Sequence, residues 1–296
     1  MVDSIISSNK IDNADVVVIS ASYEKTASSR KGTINGPKAV MHMLDSKLEL
    51  FDRNYKIQVC DAIKIAHKDL GKISNLSPDK SLEKITNECT KILNKNVFVF
   101  LLGGEHSVSL GLFKALSKKI NPKDTTIVQI DAHCDLRNTD ADYNDDPTNL
   151  AHSCVLRRAH ELGYNLVQVG IRTYSTYEYD YFTKNKNTIK VYEWSNNKKI
   201  PSVDEIIKSI KTKNVYLTID VDGFDPAHMP GTGTPVQGGL EWWYGVELIE
   251  KLILKKNLVG ADIVEVSPMK DSVLTEYGAA QLCYSIIANK FRNKLK

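Results

Sequence analysis

The sequence has no long apolar run, which excludes the simplest kind of membrane protein. Its longest fully apolar stretch, residues 97–102, is far shorter than the ~20 residues that span a bilayer as a helix. The opening MVDSIISSNK has no basic segment followed by an apolar one, so we expect no signal peptide. We therefore expect no membrane partner.

Cysteine and one-sided charge are also scarce. The 5 cysteines among 296 residues are odd in number and form no CxxC pair, which favours a reducing, cytoplasmic location. The 39 basic and 36 acidic residues give a net charge of only +3, and no polybasic tract with interleaved aromatics occurs. Nucleic-acid binding is therefore not expected.

What the sequence does have is a series of short apolar, β-branched runs, typical of a sheet buried on both faces. We predict eight strands, at residues 16–19, 57–59, 97–102, 126–130, 166–169, 189–192, 215–219 and 258–264. We predict helices at about 37–51, 80–94, 107–119, 150–162, 202–211, 241–255 and 274–291. This alternation favours an α/β fold with a mostly parallel sheet covered by helices. No linker divides the chain, so we expect a single domain, 1–296.

Four segments at predicted strand ends carry potential functional residues. They are LLGGEHS, QIDAHCD, TIDVDGFD and ADIVEVSP. In parallel sheets, sites form beyond the carboxyl ends of the strands. The first three segments supply six possible metal ligands: His106, Asp131, His133, Asp135, Asp220 and Asp222. Strand alternation would place the ligands of QIDAHCD on one face, with Cys134 pointing away.

Each segment alone also fits a structural role. His106 could be a buried or capping histidine, the aspartates could cap turns, and Glu265 could be a rim glutamate in water. Together, however, four carboxylates would raise one another's pKa values strongly unless cations hold them. The set suits two ions bridged by two aspartates, and carboxylates with imidazoles favour manganese, with zinc or iron as alternatives. Such a pair generates a hydroxide nucleophile at neutral pH.

With these residues in view, the sequence resembles a known family. GGEHS, DAHCD, AHSCVLRR, DVDGFDPAHMPGTGTPVQGG and DIVEVSP resemble, in that order, the motifs of the ureohydrolases, the arginase and agmatinase family. KGTINGPKAV resembles the family's N-terminal segment, so the match runs from about residue 26 to the last helix. The resemblance implies a three-layer α/β/α fold with a central eight-stranded sheet, two Mn²⁺ per subunit and a homo-oligomer, either a trimer or a hexamer.

The resemblance also implies roles for individual residues. The bridging ligands would be Asp131 and Asp220, the other ligands of one ion His106 and Asp135, and those of the second ion His133 and Asp222. His152 matches the family's proton-shuttling histidine, Glu265 its guanidinium-binding glutamate, and Thr234 a loop residue beside the substrate. By sequence alone, His152 is equally well explained as a histidine on a helix surface.

The implied activity is hydrolysis of a small cationic guanidino substrate, agmatine, to putrescine and urea, a step of polyamine biosynthesis. The loop 136–151 carries four aspartates and one arginine. It is either a solvated acidic loop or a negative rim that attracts agmatine, a dication. TNLAHSCVLRR also resembles agmatinases more than arginases. Arginine, guanidinobutyrate and other guanidino compounds are the alternative substrates.

Two rival classes remain. A different bimetal hydrolase, such as a phosphatase, would need Arg or Lys near the metals, and the four segments carry almost none. An inactive binding homologue is the other, although all six ligands are present. Two departures from the family pattern, Met41 and His228, do not touch the metals, and we expect His228 to pack.

Overall fold

Eight parallel strands form the centre of this protein, seen in a computed structural model that describes residues 4–8, 10–71, 73–196 and 199–295. Within these residues the strands are β1 (Val16–Ala21), β2 (Phe51–Asp52), β3 (Ile57–Gln58), β4 (Ile65–Asp69), β5 (Phe98–Gly103), β6 (Thr125–Ile130), β7 (Asn165–Ile171), β8 (Ile189–Glu193), β9 (Asn214–Asp220) and β10 (Asn257–Val264). The sheet order is β4-β1-β5-β10-β9-β6-β7-β8, and neighbouring strands pair in parallel.

Helices cover both faces of this sheet. They are α1 (Gly36–Ser46), α2 (Val59–Ala62), α3 (Pro78–Leu93), α4 (Ser109–Ser117), α5 (Val155–Glu161), α6 (Thr176–Lys184), α7 (Val203–Ser209), α8 (Trp242–Lys255) and α9 (Leu274–Lys290). One layer contains α1, α9, α8 and α7, and the other contains α3, α4 and α5. Among the described residues, no helix is both long and apolar enough to cross a membrane.

The sheet is apolar on both faces because every second residue points to the same side. In β1, Val16 and Val18 join the core under one helical layer, while Val17 and Ile19 join the core under the other. Each fully buried side chain of this kind stabilises the fold by about 1.5–3 kcal/mol relative to exposure. The predicted three-layer α/β/α architecture with eight strands is therefore confirmed.

One predicted strand is wrong. Residues 57–59 were expected in the main sheet, but only β3 is extended there, and it pairs antiparallel with β2. The missing strand of the main sheet is β4, which the sequence did not indicate. It lies at the sheet edge, where His67, Lys68 and Asp69 are partly exposed, so it lacks the continuous apolar run of a central strand.

Two helices were not predicted, the four-residue α2, which begins inside the expected strand 57–59, and α6. α6 begins after Ser175, whose hydroxyl accepts a hydrogen bond from the backbone N–H of Glu178, while the Glu178 carboxylate accepts one from the backbone N–H of Ser175. This reciprocal capping box satisfies two amide groups at the helix start. The spacing Ser-x-x-Glu was visible in the sequence, but the helix carries three tyrosines and no regular apolar stripe.

Candidate metal centre and active site

The four functional segments follow four strands that are neighbours in the sheet. His106 begins the turn after β5, Glu265 follows β10, Asp220 ends β9, and Asp131 follows β6. The spatial order is β5, β10, β9, β6, although β10 comes last in the chain. Because all four strands are parallel, their carboxyl ends meet at one edge and the side chains converge there.

His106 lies at the deep end of the cluster. Its Nδ1 is 3.0 Å from Asp135, 3.2 Å from Asp131 and 3.5 Å from Asp220, measured to one carboxylate oxygen of each. The side chain is fully buried, and Nδ1 makes no hydrogen bond of good geometry with any described residue. A buried, unsatisfied nitrogen is costly, and a cation between it and the carboxylates would remove that cost.

His133 forms a second half of the cluster. Its Nδ1 is 3.1 Å from Asp222 Oδ2 and 3.5 Å from Asp131 Oδ1. The His133 side chain is 29% exposed, so this half is open to solvent. Among the described residues, ligand atoms close enough to hold an ion occur in two sets that share Asp131, one with His106 and Asp135 and one with His133 and Asp222.

Asp131, His133 and Asp135 lie close together as predicted, but not because they share one face of a strand. β6 ends at Ile130, so the ligands of QIDAHCD lie in the following turn rather than on a strand face. Asp135 has φ +52°, and Glu265, after β10, has φ +63°. A non-glycine residue in this left-handed region costs about 1–3 kcal/mol and persists only where the surrounding structure imposes it. These two backbones are therefore bent to aim carboxylates into the site.

Burial and like charge perturb the cluster strongly. Burial, together with Asp131, raises the pKa of Asp135 to about 6. Burial, Asp222 and Asp131 raise the pKa of Asp220 well above its usual value. For His106, burial acts to lower the pKa, but the three neighbouring carboxylates outweigh it and raise the pKa well above normal. The donor set of carboxylate oxygens and two imidazoles suits divalent cations such as Mn²⁺, which would relieve this repulsion.

His152 and Glu265 lie together beside this cluster. His152 Nδ1 is 3.5 Å from Glu265 Oε1, which also accepts a hydrogen bond from the backbone N–H of His106 at 2.7 Å. Burial acts to lower the pKa of His152, but Glu265 outweighs it and raises the pKa to about 9. His152 Nε2 is buried and has no hydrogen-bond partner among the described residues. His152 is therefore not a helix-surface histidine, since it precedes α5 in a short 3-10 turn and lines the site.

A cavity of about 300 Å³ opens onto the cluster. Its lining comprises Ser28, His133, Asp135, Arg137, Tyr143, His152, Ser153, Thr173, Tyr174, Ser175, Glu178, Asp220 and Thr234. The Thr234 hydroxyl donates a hydrogen bond to Asp222 Oδ2 at 3.1 Å, so the Gly/Thr-rich loop is anchored to a cluster residue. The cavity is large enough for a small organic substrate.

The acidic loop does not form the negative rim that the sequence suggested. Asp140 is fully buried, and its carboxylate accepts hydrogen bonds from Thr148 and Asn144, which fold the loop on itself. Asp142 pairs with Arg137 at the surface. The carboxylates that line the cavity instead belong to Asp135, Asp220 and Glu178. Asp140 therefore organises the loop, Asp145 and Asp146 are exposed, and the residues that line the cavity include none of the four aspartates.

The residues that follow β7 also contribute to the site, although they were not predicted from the sequence. Arg172 donates hydrogen bonds to carbonyl oxygens of the 222–237 segment, including Asp222 at 2.6 Å and Val236 at 2.6 Å, and so holds the Gly/Thr-rich loop over the cluster. Tyr174 lines the cavity and donates to Glu193 at 2.7 Å. Because β7 lies beside β6, its carboxyl end is at the same edge of the sheet as the cluster, where functional residues are expected. Only acidic residues and histidines were considered as candidates at the strand ends, so Arg172 and Tyr174 were overlooked.

Three further residues that the sequence singled out, Cys134, Met41 and His228, do not line the cavity. Cys134 is fully buried among apolar side chains, as expected for the residue facing away from the ligands. Met41 belongs to α1 and packs from it into the core. His228 Nε2 lies within hydrogen-bond distance of Glu241 Oε2, at 3.0 Å, and the side chain is about one-third exposed, so its contact is polar rather than the predicted packing.

Comparison with known proteins agrees with this geometry. The profile of the arginase family matches residues 14–288. The N(1)-aminopropylagmatine ureohydrolase of Synechocystis sp. is 35% identical over 281 residues, 93% of this chain and 89% of that protein. The agmatinase of Bacillus subtilis is 32% identical, over 88% of this chain and 86% of that protein. The crystal structure of the agmatine ureohydrolase of Thermoplasma volcanium is 28% identical and superposes with a TM-score of 0.83 over 99% of this chain and 95% of that one. The chain belongs to the arginase family and is a hydrolase of the ureohydrolase type.

Proposed function

We propose that the protein is a binuclear manganese amidinohydrolase that converts agmatine to putrescine and urea. The observation that carries this proposal is the position of Asp131. Its Oδ2 faces His106 at 3.2 Å and its Oδ1 faces His133 at 3.5 Å. One carboxylate between two imidazoles is suited to bridge two cations.

The proposed ligands follow the two halves of the cluster. Asp131 and Asp220 would hold both cations, His106 and Asp135 would complete the deep half, and His133 and Asp222 would complete the open half. Asp220 supports this assignment, because its Oδ2 faces His106 at 3.5 Å while its Oδ1 accepts a hydrogen bond from the backbone N–H of Asp222 at 3.0 Å. Its carboxylate therefore contacts the deep half through His106 and the open half through the backbone of Asp222.

The chain's own residues would bind the substrate and move the proton. Two divalent cations, when bound, supply a nucleophilic oxygen at neutral pH and neutralise the carboxylates. Glu265 would accept paired hydrogen bonds from the planar guanidinium. His152, whose pKa of about 9 keeps it protonated at neutral pH, would donate a proton to the departing amine. Thr234, at the cavity wall, would contact the substrate.

Agmatine is the first candidate substrate because, among the described residues that line the cavity, the one arginine is already paired. Arg137 pairs with Asp142, whereas the Glu178 carboxylate would keep its charge when cations neutralise Asp135 and Asp220. The B. subtilis relative is named agmatinase, which supports the same choice.

A guanidino-amine extended by an aminopropyl group is the second candidate. A further cavity of about 350 Å³ adjoins the first and shares Thr173 and Tyr174 with it. Glu193 lines this second cavity and accepts a hydrogen bond from the Tyr174 hydroxyl at 2.7 Å. A carboxylate there would suit the distal ammonium of a longer substrate, and the Synechocystis relative carries the name of such an enzyme.

The test is urea release by the Mn²⁺-loaded protein from agmatine, N1-aminopropylagmatine, arginine and 4-guanidinobutyrate, measured side by side. We expect the two substrates without a carboxylate to turn over fastest. Glu193→Gln should lower kcat/KM for the extended substrate and leave agmatine turnover unchanged. Faster turnover of arginine would contradict the proposed substrate class, and no urea from any of the four would refute the proposed activity.

The proposal includes a cytoplasmic homo-oligomer. All five cysteines are free thiols, which supports a reducing compartment. Trp243 is 70% exposed and Phe51 is 54% exposed, and both line one groove of about 400 Å³, which supports a subunit contact. Light scattering after size-exclusion chromatography tests the assembly, for which a trimer or hexamer is expected and a monomer would refute it.

A further inference from the structure

A row of polar side chains crosses the interior of the sheet directly before the metal cluster. Asp262 of β10 is paired in register with Thr218 of β9, Thr218 with Gln129 of β6, and Gln129 with Gln168 of β7. All four side chains are fully buried. We call these four residues the polar row.

Such a row needs a physical reason, because a buried polar group is costly unless it is hydrogen-bonded. One arm of the row ends on the proposed bridging ligand. Gln168 donates a hydrogen bond to the side-chain oxygen of Gln129, and Gln129 Nε2 donates to Asp131 Oδ2 at 2.5 Å. That oxygen is the one that faces His106.

The other arm ends on His106. The Thr218 hydroxyl donates to Asp262 Oδ1 at 2.5 Å, and the Tyr216 hydroxyl donates to Asp262 Oδ2 at 2.6 Å. Since the Thr218 proton points to Asp262, the Thr218 oxygen accepts from His106 Nε2, which is 2.9 Å away. His106 then keeps its lone pair on Nδ1, the atom that faces the three carboxylates.

We propose that Asp262, acting through Thr218, is a positioning residue that fixes the orientation and tautomer of His106 for cation binding. This inference rests on the proposed metal centre. The direction of the hydrogen-bond chain is set at Asp262, because each of its two carboxylate oxygens accepts a hydrogen bond from a hydroxyl, one from Tyr216 and one from Thr218. An amide in its place could donate to Thr218, which would then donate to His106 Nε2. The imidazole proton would move to Nδ1 and block that ligand atom.

The test is Mn²⁺ binding by Thr218→Val, which removes the hydroxyl at nearly constant shape. Calorimetry should show that the ion of the His106 half binds on the order of 10–100-fold more weakly. At limiting Mn²⁺, the electron paramagnetic resonance spectrum of a coupled ion pair should give way to that of a single ion. Thr218→Ser keeps the hydroxyl and should restore wild-type binding.

A matched control is Thr126→Val. Thr126 is also a buried threonine of the sheet, but its hydroxyl bonds to Thr212 at 2.7 Å, at the opposite end of β6 from the cluster. It should bind Mn²⁺ like the wild type. Asp262→Asn tests the direction of the chain separately and should weaken the same ion, with circular dichroism confirming that the metal-free variant is folded.

Three results would overturn the inference: wild-type Mn²⁺ affinity in Thr218→Val, wild-type affinity in Asp262→Asn, or equal weakening in Thr218→Ser and Thr218→Val. If Thr218→Val does not fold, Asp262→Asn decides. Two tightly bound ions in the wild type and in both variants would overturn this inference alone, whereas a wild-type protein that binds no divalent ion would overturn the proposed centre as well.

Discussion

The two halves of the metal cluster have similar donors but different surroundings. The His106 half is sealed, since the His106 side chain is 0% exposed and its far nitrogen is held by Thr218. The His133 half is open, since His133 is 29% exposed and lines the cavity. The difference indicates a division of labour. The deep half is rigid and suited to hold a cation firmly, while the open half is where a substrate and a cation can meet.

The largest expected effect comes from the residue that both halves share. Asp131→Ala should lower bound Mn²⁺ from about two ions per chain to less than one and abolish urea release, because the carboxylate faces both imidazoles. Metal analysis after gel filtration measures this loss. Retention of both ions would show that Asp131 is not a ligand.

Variants confined to one half provide the comparison. Asp135→Asn, in the deep half, and Asp222→Asn, in the open half, should each lose one ion. Asp145→Asn is the control, because Asp145 is exposed in the acidic loop, and it should keep both ions. If either one-sided variant loses as much metal as Asp131→Ala, the separation into two halves is wrong.

The second effect should separate proton transfer from metal binding. His152→Ala should keep both ions yet release urea on the order of 10²–10⁴-fold more slowly, as expected for loss of a general acid. The measurement is kcat with agmatine alongside metal content. His160→Ala is a matched control, because His160 lies beside Tyr181 and Thr188 rather than in the cavity. A variant that loses metal would place His152 in the cluster instead.

The smallest effect is the pH dependence of Mn²⁺ affinity. Carboxylates outweigh burial and raise the pKa values of His106 and His133 well above normal, so protons compete with a cation for these imidazoles. A cation must displace these protons. The Mn²⁺ affinity should therefore rise with pH above neutrality, by about tenfold per pH unit for each proton released.

Calorimetry in two buffers of different ionisation enthalpy counts the released protons. Each half should contribute at least one, because each contains one histidine, and the carboxyl groups of Asp135 and Asp220, whose pKa values are also raised, would add to this number. An affinity that does not change between pH 7 and pH 8 would show that the imidazoles are not the ligands.

The sequence predicted the site better than it predicted the edges of the fold. The central strands were found because burial on both faces requires continuous apolar runs, whereas β4, at the edge, carries polar residues and was missed. His106, Asp131 and Asp220 were found because metal-binding side chains at strand ends are conspicuous in such runs. The polar row was missed because its residues occur singly in different apolar strands, and the sequence does not show that these strands are neighbours in the sheet.

Substrate recognition was predicted least well. The aspartates of loop 136–151 read as an acidic rim, but Asp140 is buried and organises the loop, and Asp142 pairs with Arg137. The number of acidic residues in a loop does not show which carboxylates form hydrogen bonds within the loop and which face the cavity. The loop lines the cavity with Arg137 and Tyr143 rather than with its aspartates, and further lining residues, Tyr174 and Glu178, are distant in sequence from the four segments.

The sequence by itself determined the histidines and aspartates of the candidate metal centre, the apolar strands that carry them and the family to which the chain belongs, because these depend on local composition and spacing. Only the tertiary structure decided that β10 inserts between β5 and β9, which brings Glu265 and the polar row to His106. It also decided that one face of Asp131 is sealed and the other open. Strand order and burial depend on pairing between distant segments, and no local pattern encodes them.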